Sequence, residues 1–277
     1  MQQVIDGIPF SLAGSFDFSF LSDFGRVFQV YDQQDSGNIC FGCVSPEGRR
    51  FIKFSGAPTL RAAWTPQQSI ERAKRSADAY RALAHNSLVN CLYAGETGGG
   101  YIQVFPWVEG WCWGKMYPDQ RRRFLALCDA IKLKIYETIL QFHRHVLACG
   151  WVCLDFYDGS VLYQPETGNT YICDIEFYQK QPYINHTGRL PGSSRFMSPE
   201  ELTAGMPVDA RSCVFVMGAT SFELFGGGAG RDISLWRLNT ESYQAALRAV
   251  QPKRDARWSS LEAYMDAWNS ALDLKKY

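Results

Sequence analysis

The chain has 277 residues, 46% of them hydrophobic and 20% charged, enough to bury the core of one large domain or of two intimate lobes. Its 28 basic residues are balanced by 28 acidic ones, which argues against a broad electrostatic field for a nucleic-acid backbone or an anionic membrane. Nine cysteines lack a framework spacing, the amino terminus has no basic-then-apolar leader, and no apolar run is long enough to span a bilayer. These features predict a cytoplasmic chain with free thiols that binds neither nucleic acid nor membrane.

In chain order, the β-rich runs FDFSFL, RVFQVY, NICFGCV and RRFIKF between Phe16 and Phe54 alternate with turn residues and predict an antiparallel meander. Cys40 and Cys43 form a CxxC inside one of those runs, without a second pair at zinc-site spacing, and read as two thiols on a strand. Ile70, Ala73, Ala77, Tyr80 and Leu83 then recur at helical spacing after Pro66. His85 to Tyr93 and Gly100 to Trp107 read as further strands, and Val108 to Gly110 as a short linker. Beyond Pro118 the pattern turns helical, first over Arg121 to Ala148. The triplet Arg121, Arg122, Arg123 reads as a solvated helix start, and His143 and His145, two apart, point to different faces. A β-rich first part and an α-rich second part predict an α+β protein of two lobes with a cleft between them.

Several segments carry residues suited to chemistry. Lys53 lies in the apolar run Phe51-Ile52-Lys53, where an ammonium needs a partner. Gly150-Trp-Val-Cys-Leu-Asp155-Phe-Tyr-Asp158-Gly-Ser160-Val-Leu-Tyr163 is followed nineteen residues after Asp155 by Asp174, in Tyr171-Ile-Cys-Asp174-Ile-Glu176, with a hairpin turn at Pro165 to Asn169 between them. Gly192-Ser-Ser-Arg-Phe-Met-Ser-Pro-Glu200-Glu and Val208-Asp-Ala-Arg-Ser-Cys213-Val-Phe-Val-Met-Gly218 come next, and Arg254-Asp-Ala-Arg257-Trp258 closes the series. In order and spacing these segments resemble the eukaryotic-type serine/threonine protein kinases, and in wording a bacterial subgroup of them, over Phe16 to Trp268.

The resemblance implies a bilobal protein-kinase-like fold. Residues 1–108 would form an N-lobe with a five-stranded antiparallel sheet and one main helix that covers the nucleotide. Residues 109–277 would form a mostly α-helical C-lobe with the catalytic loop and activation segment. It implies ATP and magnesium as cofactors and a protein hydroxyl as acceptor. Asp155 would orient that hydroxyl, Lys53 would hold the α- and β-phosphates, and Asp174, helped by Ser160 and Asp158, would hold the metal. The hairpin Phe20 to Phe28 resembles the end of the glycine-rich loop, which puts Ser22, Gly25 and Val27 on the nucleotide. Phe105 would be the gatekeeper, and the backbone of Pro106, Trp107 and Val108 would meet adenine. Glu200 and Arg257 would form a buried pair.

The chain also departs from the family pattern. Phe20 and Ser22 replace two loop glycines, the helix glutamate expected near Ser76 is absent with Glu71 the nearest, Cys153 and Leu154 replace the HRD His and Arg, Ser160 replaces an asparagine, Glu176 replaces the DFG glycine, and Cys213 replaces an aspartate that anchors the catalytic loop. Those departures imply a pseudokinase scaffold as the alternative reading. A small-molecule kinase of the aminoglycoside or choline type is a second alternative, opposed by the serine-rich segment with its Ser-Pro-Glu motif. Ser193 and Ser194 are candidate phosphorylation sites, although Leu154 leaves no HRD arginine to receive the charge.

Overall fold

The computed structural model describes residues 1–228 and 230–273, which fold as an α+β protein. The chain divides into two compact units, Met1–Glu109 and Gly110–Tyr277.

The first unit opens with a hairpin, β1 (Gln2–Ile5) and β2 (Ile8–Ser11), that the sequence pattern does not announce. Its main sheet is five-stranded and antiparallel, built from β3 (Arg26–Tyr31), β4 (Asn38–Ser45), β5 (Gly48–Ser55), β6 (Tyr93–Thr97) and β7 (Gly100–Pro106) in the order β3-β4-β5-β7-β6. Helix α1 (Pro66–Ala82) is the helix expected after Pro66, and Thr65 starts it with a capping box to Gln68.

Two sequence expectations fail here. FDFSFL is not a strand: Ser19–Phe24 is a 3-10 turn, because Asp17 accepts the Ser19 amide at 2.8 Å and Ser22 Oγ donates to the Ser19 carbonyl at 2.8 Å. Its phenylalanines still reach the core, Phe18 lying 5.1 Å from Phe41 and Phe20 5.0 Å from Phe54 between ring centres. His85–Tyr93 is likewise irregular up to Leu92, since His85 Nδ1 and its carbonyl bind the Ser87 and Leu88 amides and turn the chain. Leu88 and Val89 are buried, Leu88 as a single bridge residue and not as part of a strand.

The second unit begins with β8 (Trp111–Cys112), α2 (Pro118–Leu125) and α3 (Asp129–Ala148). The single helix expected over 121–148 is thus two, and buried Lys132 donates to the Leu125 carbonyl at 2.7 Å across the joint. Next come β9 (Trp151–Val152) and the hairpin β10 (Val161–Gln164) and β11 (Asn169–Ile172), whose turn falls where the sequence places it. Short strands β12 (Gln179–Lys180), β13 (Tyr183–Ile184) and β14 (Pro207–Val208) precede α4 (Ala210–Phe225), α5 (Thr240–Ala249) and α6 (Leu261–Asp273). Fourteen residues of α4 are buried, so it is the central helix of this unit. Among the described residues no helix is long and apolar enough to cross a membrane.

Candidate functional site

In the first unit Lys53 is half-buried on β5, in register with Cys40 of β4 and Gln103 of β7. Buried Gln103 donates to Ser76 Oγ of α1 at 3.4 Å, so the position where the resemblance expects a glutamate holds a hydroxyl bound to the strand beside Lys53. Glu71 is on the exposed side of α1, bonded to Gln67. Phe105 is buried, its ring centre 5.0 Å from that of Tyr80 of α1. At the end of β7, Trp107 packs edge-on against Phe28 at 4.9 Å and donates to Glu109 at 3.0 Å. Pro106 and Val108 flank it, each half-buried.

Ser22, Gly25 and Val27 do not form the expected hairpin. Ser22 belongs to the 3-10 turn, Gly25 packs against the Val44 backbone with φ at 102°, and Val27, 1% exposed, joins the core with Phe10, Leu21 and Phe41. The hairpin that leads toward the strand of Lys53 joins β3 to β4 and turns at 32–37 instead. Arg72 of α1 donates to the Ser36 carbonyl, and Gly37, at φ 77°, is pressed on Ser69 so closely that a Cβ would collide with its hydroxyl.

The second unit carries the expected aspartates. Asp155 follows β9 and Asp174 follows β11, and both adopt a left-handed backbone with φ at 58°. Aspartate is one of the few residue types enriched in that region, and such conformations cost free energy that the surrounding structure must supply. The Asp155 carboxylate lies against Gly192, where a Cβ would stand 3.4 Å from Oδ1. Burial, and to a lesser degree the charges of Asp174 and Asp155, raise the pKa of the Tyr157 phenol.

Ser160, 1% exposed, has its hydroxyl without a hydrogen-bond partner, while its carbonyl accepts from the amide of Cys173, the residue before Asp174, at 2.9 Å. A buried, unsatisfied hydroxyl oxygen beside a carboxylate-bearing turn fits a hard, oxygen-seeking cation such as magnesium. Among the described residues no three His, Cys, Asp or Glu side chains gather into a metal site by themselves, so most of such an ion's shell would come from substrate oxygens and water.

Asp158 has another task. Its Oδ2, in a side chain 1% exposed, accepts from Arg121 at 2.6 Å and from Arg195 at 2.9 Å, and Arg195 Nη1 also lies 3.0 Å from Glu223 of α4. Arg121 is thus no solvated charge: it ties α2 to the loop after Asp155, and Arg195 brings the 192–198 segment to the same carboxylate. The Arg-rich triplet and the Gly-Ser-Ser-Arg run were visible in the sequence, but nothing in their spacing pairs them.

The Cys153 thiol is pushed well above its ordinary pKa, first by the neighbouring Cys213 thiol of α4 and then by burial. Both thiols are almost fully buried. Cys213→Asp alone would place an unpaired carboxylate there and is expected to cost about 3 kcal/mol in urea unfolding. Combining it with Cys153→His, which supplies a cationic partner, should recover more than half of that loss.

Glu200 follows the prediction for the 192–201 segment: its two oxygens take Arg257 Nη1 at 3.0 Å and Nη2 at 2.9 Å. Its neighbour Glu201 accepts from the Ser198 amide and hydroxyl, yet burial dominates and raises its carboxyl to about 7. The folded pKa thus exceeds the ordinary 4.5, so the stability this group contributes is full below pH 4.5 and is lost as pH rises through 7. Urea titrations should show Glu201→Gln removing a fall of about 3 kcal/mol between those limits.

No protein-family model matches the chain. It is 26% identical over 191 residues to the serine/threonine-protein kinase PrkC of Bacillus subtilis (strain 168), an alignment covering 64% of this chain. The aligned region makes up 28% of PrkC, so the chain corresponds to under a third of that relative. The likeness supports a kinase-like relationship.

Proposed function

We propose that the chain is an ATP- and magnesium-dependent phosphotransferase of bilobal, protein-kinase-like fold that acts on serine or threonine hydroxyls of a protein. The observation that carries this reading is the pair of left-handed aspartates, Asp155 and Asp174, with the buried, unpartnered Ser160 hydroxyl, whose carbonyl accepts from the amide just before Asp174. The likeness to PrkC, a serine/threonine-protein kinase, points the same way.

In this reading residues 1–108 carry the nucleotide-covering lobe and residues 109–277 the catalytic loop and activation segment. Asp155 orients the acceptor hydroxyl and takes its proton as the oxygen bonds to the γ-phosphorus, while the bond to the bridging oxygen breaks and ADP departs. Asp174 and Ser160 hold magnesium, which when bound neutralises charge on the phosphate oxygens. Asp158 has no part in the metal shell, because its carboxylate is committed to Arg121 and Arg195. Lys53 supplies a cation to the α- and β-phosphates, and Phe105 to Val108 receive adenine. The phosphate cover passes from Ser22, Gly25 and Val27 to residues 32–37.

That cover favours a second reading, a nucleotide-binding or interaction scaffold. It contains one glycine and two aspartates, Asp32 and Asp35, and acidic side chains disfavour triphosphate. Asp32 is partly neutralised as a threat, since it accepts the Ser11 amide at 2.7 Å and the Gln33 amide group at 3.0 Å.

Thermal unfolding with ATP and magnesium tests the nucleotide site, because a ligand that binds only the native state raises its melting temperature. A rise of about 4 °C is expected near a hundredfold excess over Kd, reduced to the nucleotide-free value in Lys53→Ala and Asp174→Asn. Absence of any rise at millimolar ATP would remove the nucleotide from the reading.

A further inference from the structure

One buried face of α1 carries Ser69, Arg72 and Ser76, spaced three and four residues apart. Ser76 accepts from Gln103, the register partner of Lys53. The two residues ahead of it meet the 32–37 turn: the Ser69 hydroxyl fills the space over Gly37, and Arg72, 5% exposed, donates to the Ser36 carbonyl. The Trp64 ring centre stands 4.4 Å from the same guanidinium, and the Ala63 amide donates to the Asp35 carbonyl at 3.2 Å.

Ser36 is held from the sheet as well. Its hydroxyl accepts from Asn38 Nδ2 at 3.2 Å, and Asn38 Oδ1 accepts from Ser55 Oγ at 2.5 Å, with Asn38 and Ser55 both buried. Those two residues are partners across β4 and β5, two positions from the pair Cys40 and Lys53. One line of hydrogen bonds therefore runs from the strand of Lys53 through Ser36 to Arg72. Closing a turn with its own polar residues costs less than burying a guanidinium against it. The turn by itself suits phosphate poorly, with one glycine and two aspartates, and Arg72 fastens a cation to its backbone.

We propose that Arg72 is a positioning residue for nucleotide binding: it holds the Ser36 carbonyl, and through it the 32–37 turn, where that turn covers the triphosphate, and its charge offsets the acidic residues of the turn. The inference rests on the phosphotransferase reading and deepens it. A cover that meets phosphate in the ground state and the transition state alike contributes uniform binding, so its loss should appear in KM more than in kcat.

The test compares the whole chain with Arg72→Met, Arg72→Lys and Gly37→Ala by calorimetric titration with magnesium-ATP and with adenosine, which lacks phosphates, and by steady-state transfer. Arg72→Met should weaken magnesium-ATP binding and raise the KM for ATP about tenfold, with kcat and the affinity for adenosine changed less than about threefold. Arg72→Lys keeps a charged donor for the one carbonyl and should recover most of that loss. Gly37→Ala strikes the same contact from the side of the turn, so it carries the test if Arg72→Met does not fold, and it should show the same split between ATP and adenosine. If the wild-type chain binds magnesium-ATP and these variants bind it equally well, or lose adenosine to the same degree, Arg72 has no such role and the phosphotransferase reading stands. If the wild-type chain neither binds magnesium-ATP nor transfers phosphoryl, both are overturned.

Discussion

Arg257→Ala is expected to lower the unfolding free energy by about 3 kcal/mol, because it leaves the buried Glu200 carboxylate with only Arg254, 3.6 Å away, as a cation. The geometry makes this pair unusually complete. Arg257 gives two hydrogen bonds to Glu200, at 2.9 and 3.0 Å, and donates also to the carbonyls of Gln251, Arg211 and Pro252. Its guanidinium lies 5.0 Å from the Phe215 ring centre, on α4. One side chain thus joins the 199–202 turn, the start of α4 and the 250–257 stretch, with neither charge more than 2% exposed. Domains of ordinary stability have about 5–15 kcal/mol in hand, so this single loss should lower the melting temperature by many degrees. Lysine at 257 would keep the charge but not the paired donors, and should restore less than half of the loss. Replacing both Glu200 and Arg257 by methionine should be much less harmful than either alanine variant, since it removes the uncompensated charge. Urea titration of the four proteins measures each of these steps.

The second large effect concerns turnover. Asp155→Asn is expected to reduce phosphoryl transfer by about 10²–10⁴-fold while leaving the ATP-dependent thermal shift in place, because the amide cannot take the acceptor's proton. Asp174→Asn should reduce both, since it weakens the oxygen set offered to magnesium. The separation of the two outcomes assigns the roles: equal loss of binding in both variants would make the aspartates interchangeable anion-site residues and not a base and a metal ligand. Asparagine tolerates the left-handed backbone nearly as well as aspartate, so neither change should unfold the loop.

Much of this arrangement could be read in the chain because it depends on local rules. The turn between β10 and β11, the helix α1 after Pro66 and the buried Glu200–Arg257 pair all follow from residues whose partners lie at fixed offsets or in a recognised order. The run Phe16 to Leu21 misled for a physical reason: its alternating phenylalanines correctly announce a buried side, but Asp17 captures the Ser19 amide and takes the backbone out of the sheet. The supposed strand also put the glycine-loop resemblance at Gly25, whereas the hairpin before the strand of Lys53 turns at 32–37. Arg121 and Arg195 were beyond the reach of pattern, because each contact joins residues far apart in sequence. Burial decides their meaning, and a lone sequence does not state which side of a helix start will be covered.

The central claim is met most directly by incubating the purified chain with magnesium, ATP labelled in the γ-phosphate and a mixture of serine- and threonine-containing protein acceptors, beside Asp155→Asn. The account predicts label on serine or threonine of the chain or of an acceptor, dependent on magnesium and lost in the variant. Tight, magnesium-dependent ATP binding with no label above that of Asp155→Asn would contradict it and leave a nucleotide-binding scaffold in its place.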